Sequence, residues 1–299
     1  MSDLKLKDLR YLVSLADERH FGRAAQRSHV SQPTLSAQLK KLEGYLGVQL
    51  IERQPKQVSL TQAGEQIVAR ARRILEASDE MLTLARSHRD PLAGKLRMAL
   101  LPTIGPYLLP RVAREIHKAL PRLELQLYEY QTVPMLEKLS AGQIDVGILA
   151  LPVSLEGLDA RPLYEEPFAL ALPAQHRLAK KKEVSVEDLK DETLLLLEDG
   201  HCLRDQALEV CSSVGVQEKQ DFRATSLETL RQMVATGAGV TLLPELASRN
   251  SYGGATRDVV LRPFVKPTPV RQIGAVWRKT TARLPAIEAV CKLIEKHAL

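Results

Sequence analysis

Cys202 and Cys211 are nine residues apart in the run Leu197-Glu-Asp-Gly-His-Cys-Leu-Arg-Asp-Gln-Ala-Leu-Glu-Val-Cys211. A thiol can be a nucleophile, an oxidisable centre or an inert apolar filler, depending on its surroundings. Leu203 to Val210 reads as helix. Nine steps of helical rise would hold the two Cα atoms roughly 13 Å apart on opposite faces. A disulfide needs them within about 7 Å. The pair is therefore either two unrelated buried thiols or a pair that joins only when its segment refolds, which would make it a switch. Asp199-Gly200 is a turn signal, so Cys202 is expected at a helix start, where unpaired N–H groups and the positive dipole end favour a thiolate. His201 and Arg204 add donors or positive charge, while Glu198, Asp199 and Asp205 push the other way. Cys291, in the helical run Pro285 to Ala298, fits the inert reading and is assigned no chemistry; Cys211 alone would fit it too.

The elements that must position such a pair belong to a chain of 299 residues, 44% hydrophobic, enough for a substantial core and two or three domains. No apolar run is long enough to span a bilayer and the start is charged rather than signal-like, so a cytoplasmic protein is expected. Three cysteines are an odd count, which suits a reducing compartment where any disulfide is transient. The net charge of +6 is uneven: residues 1–60 carry +4 and the remainder +2. Positive charge gathered in a small N-terminal unit is the footprint expected of a nucleic-acid contact surface. No zinc spacing, P-loop or G-x-G-x-x-G is present, and no cofactor or metal is expected.

Leu9, Leu12, Val13, Leu15 and Ala16 recur at helical spacing, and a second short helix is expected around Ala24-Ala25. Ser31 is a good N-cap for a third helix with an early Pro33, running through Leu35, Leu39, Leu42 and Leu46. Two short helices across a tight turn make a helix-turn-helix. The exposed face of the second would carry Ser31, Gln32, Pro33, Thr34, Ser36, Gln38, Lys40 and Lys41, groups suited to base edges and phosphates. Leu50 to Arg53 and Val58 to Leu60 read as a small β-wing, with Arg53 and Lys56 near its tip to reach phosphates or a minor groove. Thr61 should cap a long helix to about His88. Its apolar positions Ile67/Val68, Ala71, Ile74/Leu75, Ser78, Met81/Leu82 and Ala85 make a heptad seam, read as a dimerisation surface rather than packing within its own domain. After Asp90-Pro-Leu-Ala-Gly94, strands near 95–101, 123–130, 144–150, 194–198, 221–225 and 240–243 alternate with helices near 107–119, 133–140, 203–211, 227–236 and 284–298. Such alternation predicts open parallel sheets with helices on both faces and a ligand site beyond the strand carboxyl ends.

The N-terminal layout resembles the LysR-type transcriptional regulators. The resemblance rests on Leu9-Arg-Tyr-Leu12, Phe21-Gly-Arg-Ala-Ala25, Val30-Ser-Gln-Pro-Thr-Leu-Ser36, Leu42-Glu43, Leu46-Gly47, Leu50-Ile-Glu-Arg53 and Leu60-Thr-Gln-Ala-Gly64. It implies an all-α winged helix-turn-helix at 1–60, a linker and dimerisation helix at 61–90 and a hinge at 91–94. An α/β regulatory region like a periplasmic binding protein would follow, with two Rossmann-like subdomains at 95–165 with 267–299 and at 166–266, the redox segment at 199–211 lying in the second. The regulatory region is similar to the peroxide-sensing members of that family through Leu101-Pro-Thr-Ile-Gly-Pro-Tyr-Leu-Leu-Pro110, Gln131-Thr132, the Leu197–Cys211 run and Phe222-Arg-Ala-Thr-Ser-Leu-Glu-Thr-Leu230. That likeness implies Cys202 as peroxidatic and Cys211 as resolving residue, joined in a reversible disulfide, with Thr103, Thr132, His201 and Arg271 lining the peroxide pocket. Read without it, Thr103 and Thr132 would be helix caps, His201 a satisfied histidine and Arg271 a structural ion-pair partner.

The function expected is that of a DNA-binding, thiol-based sensor of hydrogen peroxide that controls oxidative-stress genes, and not of an enzyme. The family implies a homotetramer built as a dimer of dimers, promoter DNA and RNA polymerase as partners, and a thiol reductant such as glutaredoxin or thioredoxin. Two other readings stand beside it: a LysR-type regulator gated by a small organic effector in the cleft between subdomains, and a thiol peroxidase. The Cys202/Cys211 pair argues against the first and the N-terminal unit against the second.

Overall fold

The computed structural model describes residues 4–54, 57–87, 90–212, 217–249 and 258–298. The chain forms two compact units, Met1–Arg89 and Asp90–Leu299.

The first unit holds α1 (Leu6–Glu18), α2 (Phe21–Arg27), α3 (Gln32–Leu46), the antiparallel strands β1 (Ile51–Gln54) and β2 (Gln57–Leu60), and α4 (Gln62–Ser87). Helix α3 begins where Ser31 Oγ accepts the Thr34 N–H at 3.3 Å, and it stops at Gly47, whose φ of 70° suits a residue without Cβ. Its apolar stripe, Leu35, Leu39 and Leu42, packs with Leu12, Leu15, Ala24 and Ala25 into one core. The Glu43 carboxylate accepts from the N–H groups of Leu50 (2.9 Å) and Ile51 (3.1 Å), which seats the wing on α3. Gly64 lets α4 pass that wing closely, since a Cβ there would lie 2.1 Å from the Leu50 carbonyl oxygen. The expected wing is thus present, although Pro55 and Lys56 at its tip lie outside the described residues. The expected heptad seam splits in two. Val68 and Ala71 are buried in their own unit, while Ile74 (44% exposed) and Met81 (65% exposed) face outward.

The second unit runs β3 (Gly94–Leu100), α5 (Gly105–Ala119), β4 (Leu123–Glu129), α6 (Thr132–Ser140), β5 (Val146–Leu151), β6 (Leu158–Pro173), β7 (Thr193–Leu197), α7 (Cys202–Cys211), β8 (Gln217–Ala224), α8 (Leu227–Ala235), β9 (Thr241–Pro244), α9 (Glu245–Arg249), β10 (Val259–Pro263), β11 (Val270–Arg278) and α10 (Leu284–His297). The main sheet has the order β10-β6-β11-β5-β3-β4, with β9 also on β6. Strands β3, β4 and β5 are parallel, as are β7 and β8. The expectation of open parallel sheets holds for these strands and is corrected for the rest of the main sheet: β11 and β6 run antiparallel to each other, and β11 also lies antiparallel to β5. These two strands escape sequence reading for a physical reason. Pro162 and Pro167 interrupt β6, and its first half pairs with β11 while its second half, Phe168 to Pro173, pairs with β9 and β10. One strand therefore serves two halves of the unit, so no single alternation of buried and exposed residues runs through it.

Candidate functional site

Helix α7 begins at one cysteine and ends at the other. Gly200 makes the turn into it with φ of 93°, and a Cβ there would meet Gln131 Oε1 at 3.0 Å. Leu203, Ala207 and Cys211 are the buried stripe of the helix, spaced four residues apart, and they face the hydrophobic core. Cys202 stands on the opposite side, partly exposed at the first turn, and all three thiols are free. Ten residues of continuous helix put nine rises, roughly 13 Å, between the two Cα atoms. No disulfide can form in this conformation.

Cys202 lines a cavity of about 830 Å³ together with Thr132, Gly200 and Arg271, and Phe168 and Val210 supply apolar wall. Arg271 on β11 stands opposite Glu166 on β6 in the strand register. Its Nε and Nη2 donate to Glu166 Oε2 at 2.8 and 2.7 Å, and its other edge donates to Thr103 Oγ1 (3.2 Å) and the Thr103 carbonyl (3.1 Å). Glu166 is fully buried, and its Oε1 accepts the Leu246 N–H at 2.9 Å in α9. The Tyr164 hydroxyl, buried in the same region, has no hydrogen-bond partner among the described residues, and burial followed by the Glu166 charge pushes its pKa up.

Thr103 is thus a clamp on Arg271 rather than a helix cap, and it does not line the cavity. Thr132 is the first residue of α6 and caps nothing either; its hydroxyl is buried beside the Cys202 sulfur and has no hydrogen-bond partner of regular geometry among the described residues. His201 is buried but not in the cavity wall, with Nε2 3.8 Å from Glu198. Burial pushes its pKa down and the Glu198 charge only partly offsets this, so His201 brings little positive charge to Cys202 near neutral pH. Arg204 is engaged by Asp199 at 3.0 Å. Local charge and helix position suggested a thiolate at Cys202, but tertiary burial outweighs them. Desolvation pushes the thiol up; the Arg271 charge, the Thr132 hydroxyl and the Leu203 N–H oppose it, and Asp205 adds to the rise. Glu166 and Tyr164 were missed by sequence reading, and Gln131 entered it only as part of the Gln131-Thr132 likeness. The partners of Glu166 are 80 and 105 residues away, and no local pattern could have revealed them.

On the first unit, Ser31, Gln32, Pro33, Thr34, Lys40 and Lys41 are exposed on α3, while Ser36 and Gln38 are half-buried. Thr34 Oγ1 lies 2.8 Å from Ser31 Oγ. Arg53 is placed in β1, and Lys56 lies outside the described residues. Among the described residues no cluster of histidine, cysteine and carboxylates could hold a metal ion, and no helix is long and apolar enough to cross a membrane.

Residues 6–65 match the model of the bacterial regulatory helix-turn-helix protein, lysR family, and residues 89–299 match the LysR substrate binding domain. The hydrogen peroxide-inducible genes activator of Dickeya chrysanthemi is 44% identical over 295 residues, covering 98% of this chain and 96% of that protein. The DNA-binding transcriptional dual regulator OxyR of Escherichia coli (strain K12) is 47% identical over 278 residues, covering 92% of this chain and 90% of that one. Among solved structures, a full-length OxyR variant from Pseudomonas aeruginosa superposes with a TM-score of 0.82 at 40% identity, covering 100% of this chain and 97% of its own. The oxidised form of OxyR superposes with a TM-score of 0.63 at 43% identity, covering 69% of this chain and 97% of its own.

Proposed function

The chain belongs to the LysR family of bacterial transcriptional regulators, and from that premise we propose that it is a DNA-binding regulator that reads hydrogen peroxide through Cys202 and Cys211. One observation carries this reading: the Cys202 sulfur shares a cavity with the Arg271 guanidinium and with the buried Thr132 hydroxyl, which lies beside that sulfur and has no other hydrogen-bond partner among the described residues. The names of the relatives support it.

The chemistry balances as follows. The Cys202 thiolate attacks one oxygen of hydrogen peroxide, the O–O bond breaks, and the departing hydroxide takes up a proton as water, leaving a sulfenic acid. The Cys211 sulfur then attacks the Cys202 sulfur, a second water leaves, and a disulfide remains. Thr132 and Arg271 would hold the peroxide and the developing charge, Thr103 would hold Arg271, and His201 would fix the turn that presents the sulfur. The second step requires α7 to unwind, because Cys211 belongs to the core-facing stripe and Cys202 to the opposite face. That refolding is the switch: it repacks the core beneath α7 and biases a bistable assembly.

The output is DNA. Gln32, Thr34 and Ser36 on α3 would meet base edges in a major groove, with Lys40, Lys41, Arg53 and Lys56 on phosphates. The subdomains at 95–165 with 267–299 and at 166–266, a cytoplasmic dimer of dimers, RNA polymerase as partner and a glutaredoxin or thioredoxin as reductant complete the proposal. A second reading, a small organic effector, is favoured by the cavity volume of about 830 Å³, far larger than peroxide needs. Peptide mapping of the full-length protein after a stoichiometric peroxide pulse separates the two. The expected product is an intrachain Cys202–Cys211 disulfide with an altered DNA footprint. Oxidation of Cys291 alone, or a footprint that responds to a metabolite and not to peroxide, would overturn the peroxide reading.

A further inference from the structure

Glu166 is a fully buried carboxylate with both oxygens engaged, one by Arg271 and one by the Leu246 N–H. We propose that Glu166 is a positioning residue that sets the reactivity of Cys202 by cancelling much of the charge of Arg271, which Thr103 also holds at the edge of the cavity. The inference rests on the proposed peroxide chemistry at Cys202 and adds to it a residue that sequence motifs do not point to.

Arg271 is held by a fork on each side. Glu166 takes Nε and Nη2 at 2.8 and 2.7 Å, and Thr103 takes the other edge at 3.2 and 3.1 Å. A guanidinium is always charged, so its electrostatic effect on a neighbour is tuned only by where it sits and what pairs with it. Among the described residues Glu166 is its only carboxylate partner. With Glu166 in place, the Cys202 sulfur meets an ion pair rather than a lone cation. The other charged and titratable groups nearby do not supply the missing attraction. Asp205 on α7 and Glu209 farther along it are carboxylates, Arg204 is paired with Asp199 and is not among the groups acting on Cys202, His201 is held neutral by burial, Glu198 is a carboxylate, and Tyr164 on β6 is a buried phenol. Arg111 on α5 acts on Tyr164 and is not among the groups acting on Cys202. The consequence is a restrained thiol: Arg271 favours its charged form, and Glu166 limits by how much. Leu246 lies in α9, at the turn from β9, so the position of Arg271 is also tied to the packing of that helix.

The test is the pH profile of Cys202 alkylation in the full-length protein, read by mass spectrometry of the Cys202 peptide, for the parent, E166Q and E166D. E166Q should move the midpoint down by about one unit, which makes alkylation about tenfold faster below the midpoint. E166D keeps the charge but draws it back by one methylene, and its midpoint should fall by a smaller amount. A purely structural carboxylate would cost thermal stability and leave both midpoints at the parental value, and that result overturns the proposal, as does an alkaline shift. If E166Q does not fold, E166D decides alone: a parental midpoint overturns the proposal and an acid shift supports it. The two layers fail differently. A parent whose Cys202 is alkylated but never oxidised by peroxide sinks the sensing role, whereas normal oxidation with midpoints indifferent to position 166 sinks only the inference about Glu166.

Discussion

Cys202 and Cys291 sit on helices packed against the same hydrophobic core and differ in what the sulfur faces. Cys291 on α10 is 1% exposed, and burial pushes its pKa to about 12, the opposing Arg161 charge being countered by Glu295 and Glu288, with no side-chain hydroxyl at the sulfur among the described residues and no share in the Cys202 cavity. Cys202 at the start of α7 is pushed in the same direction by the same cause, but Arg271, Thr132 and the Leu203 N–H pull against it, and its sulfur opens on a cavity. Burial is common to both, so burial does not decide which thiol can react. Convergence of polar groups on one face of the sulfur does, together with space for a reagent.

The largest effect expected from this contrast is all or nothing. Cys202→Ser should abolish peroxide-induced disulfide formation and any change in DNA footprint. Cys291→Ala should leave both intact and cost about 1 kcal/mol of stability, the loss of a small apolar group from the core. Thiol mapping and chemical denaturation of the two variants measure this directly. A response lost with Cys291→Ala would reverse the contrast.

A smaller effect separates the two sides of the Cys202 cavity. Thr132→Val replaces the buried hydroxyl beside the Cys202 sulfur by a methyl group of the same shape. Loss of an oriented donor should slow oxidation by about ten- to a hundredfold. Stability should change by less than about 1 kcal/mol, because the desolvated hydroxyl has only the Cys202 sulfur, a weak partner, to offset its burial. Stopped-flow oxidation beside a thermal melt reads both. An unchanged rate would mean that the hydroxyl does not meet the peroxide, and a loss of stability well beyond about 1 kcal/mol would mean that its role is structural.

Much of this was legible in the sequence, and the boundary has a physical cause. Ser31 as the cap of α3, the wing after Leu50 and the helix joining the two cysteines depend on neighbours within a few residues, where propensity and capping rules operate. Cys202, Thr132 and Arg271 were brought together by motif likeness, and the structure places all three on one cavity. Glu166 was invisible because it lies between Pro162 and Pro167 in a strand with no consistent alternation, facing partners 80 and 105 residues away in the sequence. The direction of the Cys202 shift was also hidden, since a helix start and nearby charges are local, whereas desolvation depends on the whole unit. The α4 seam shows the same limit. Its period is real, but period alone does not tell Val68, buried in its own unit, from Met81, which faces outward.

The smallest expected effect belongs to His201, which tests whether burial also governs a group next to the reactive thiol. Its folded pKa lies below the ordinary 6.5 because desolvation penalises the imidazolium, and the Glu198 carboxylate at 3.8 Å only partly restores it. Between the depressed folded value and the unfolded value near 6.5, the unfolded chain binds a proton that the native chain does not. Stability should therefore be complete above about pH 6.5 and decline as the pH falls toward the folded pKa. His201→Asn removes the titrating group, so the loss of stability between pH 7.5 and pH 5.5 should be shallower in the variant than in the parent. The other histidines are the same in both proteins, and urea midpoints at the two pH values isolate the difference. Equal slopes would mean that His201 titrates as it does in water. The Glu198 charge would then balance burial at position 201, and the contrast between a thiol governed by its polar neighbours and groups governed by burial would hold for Cys291 alone.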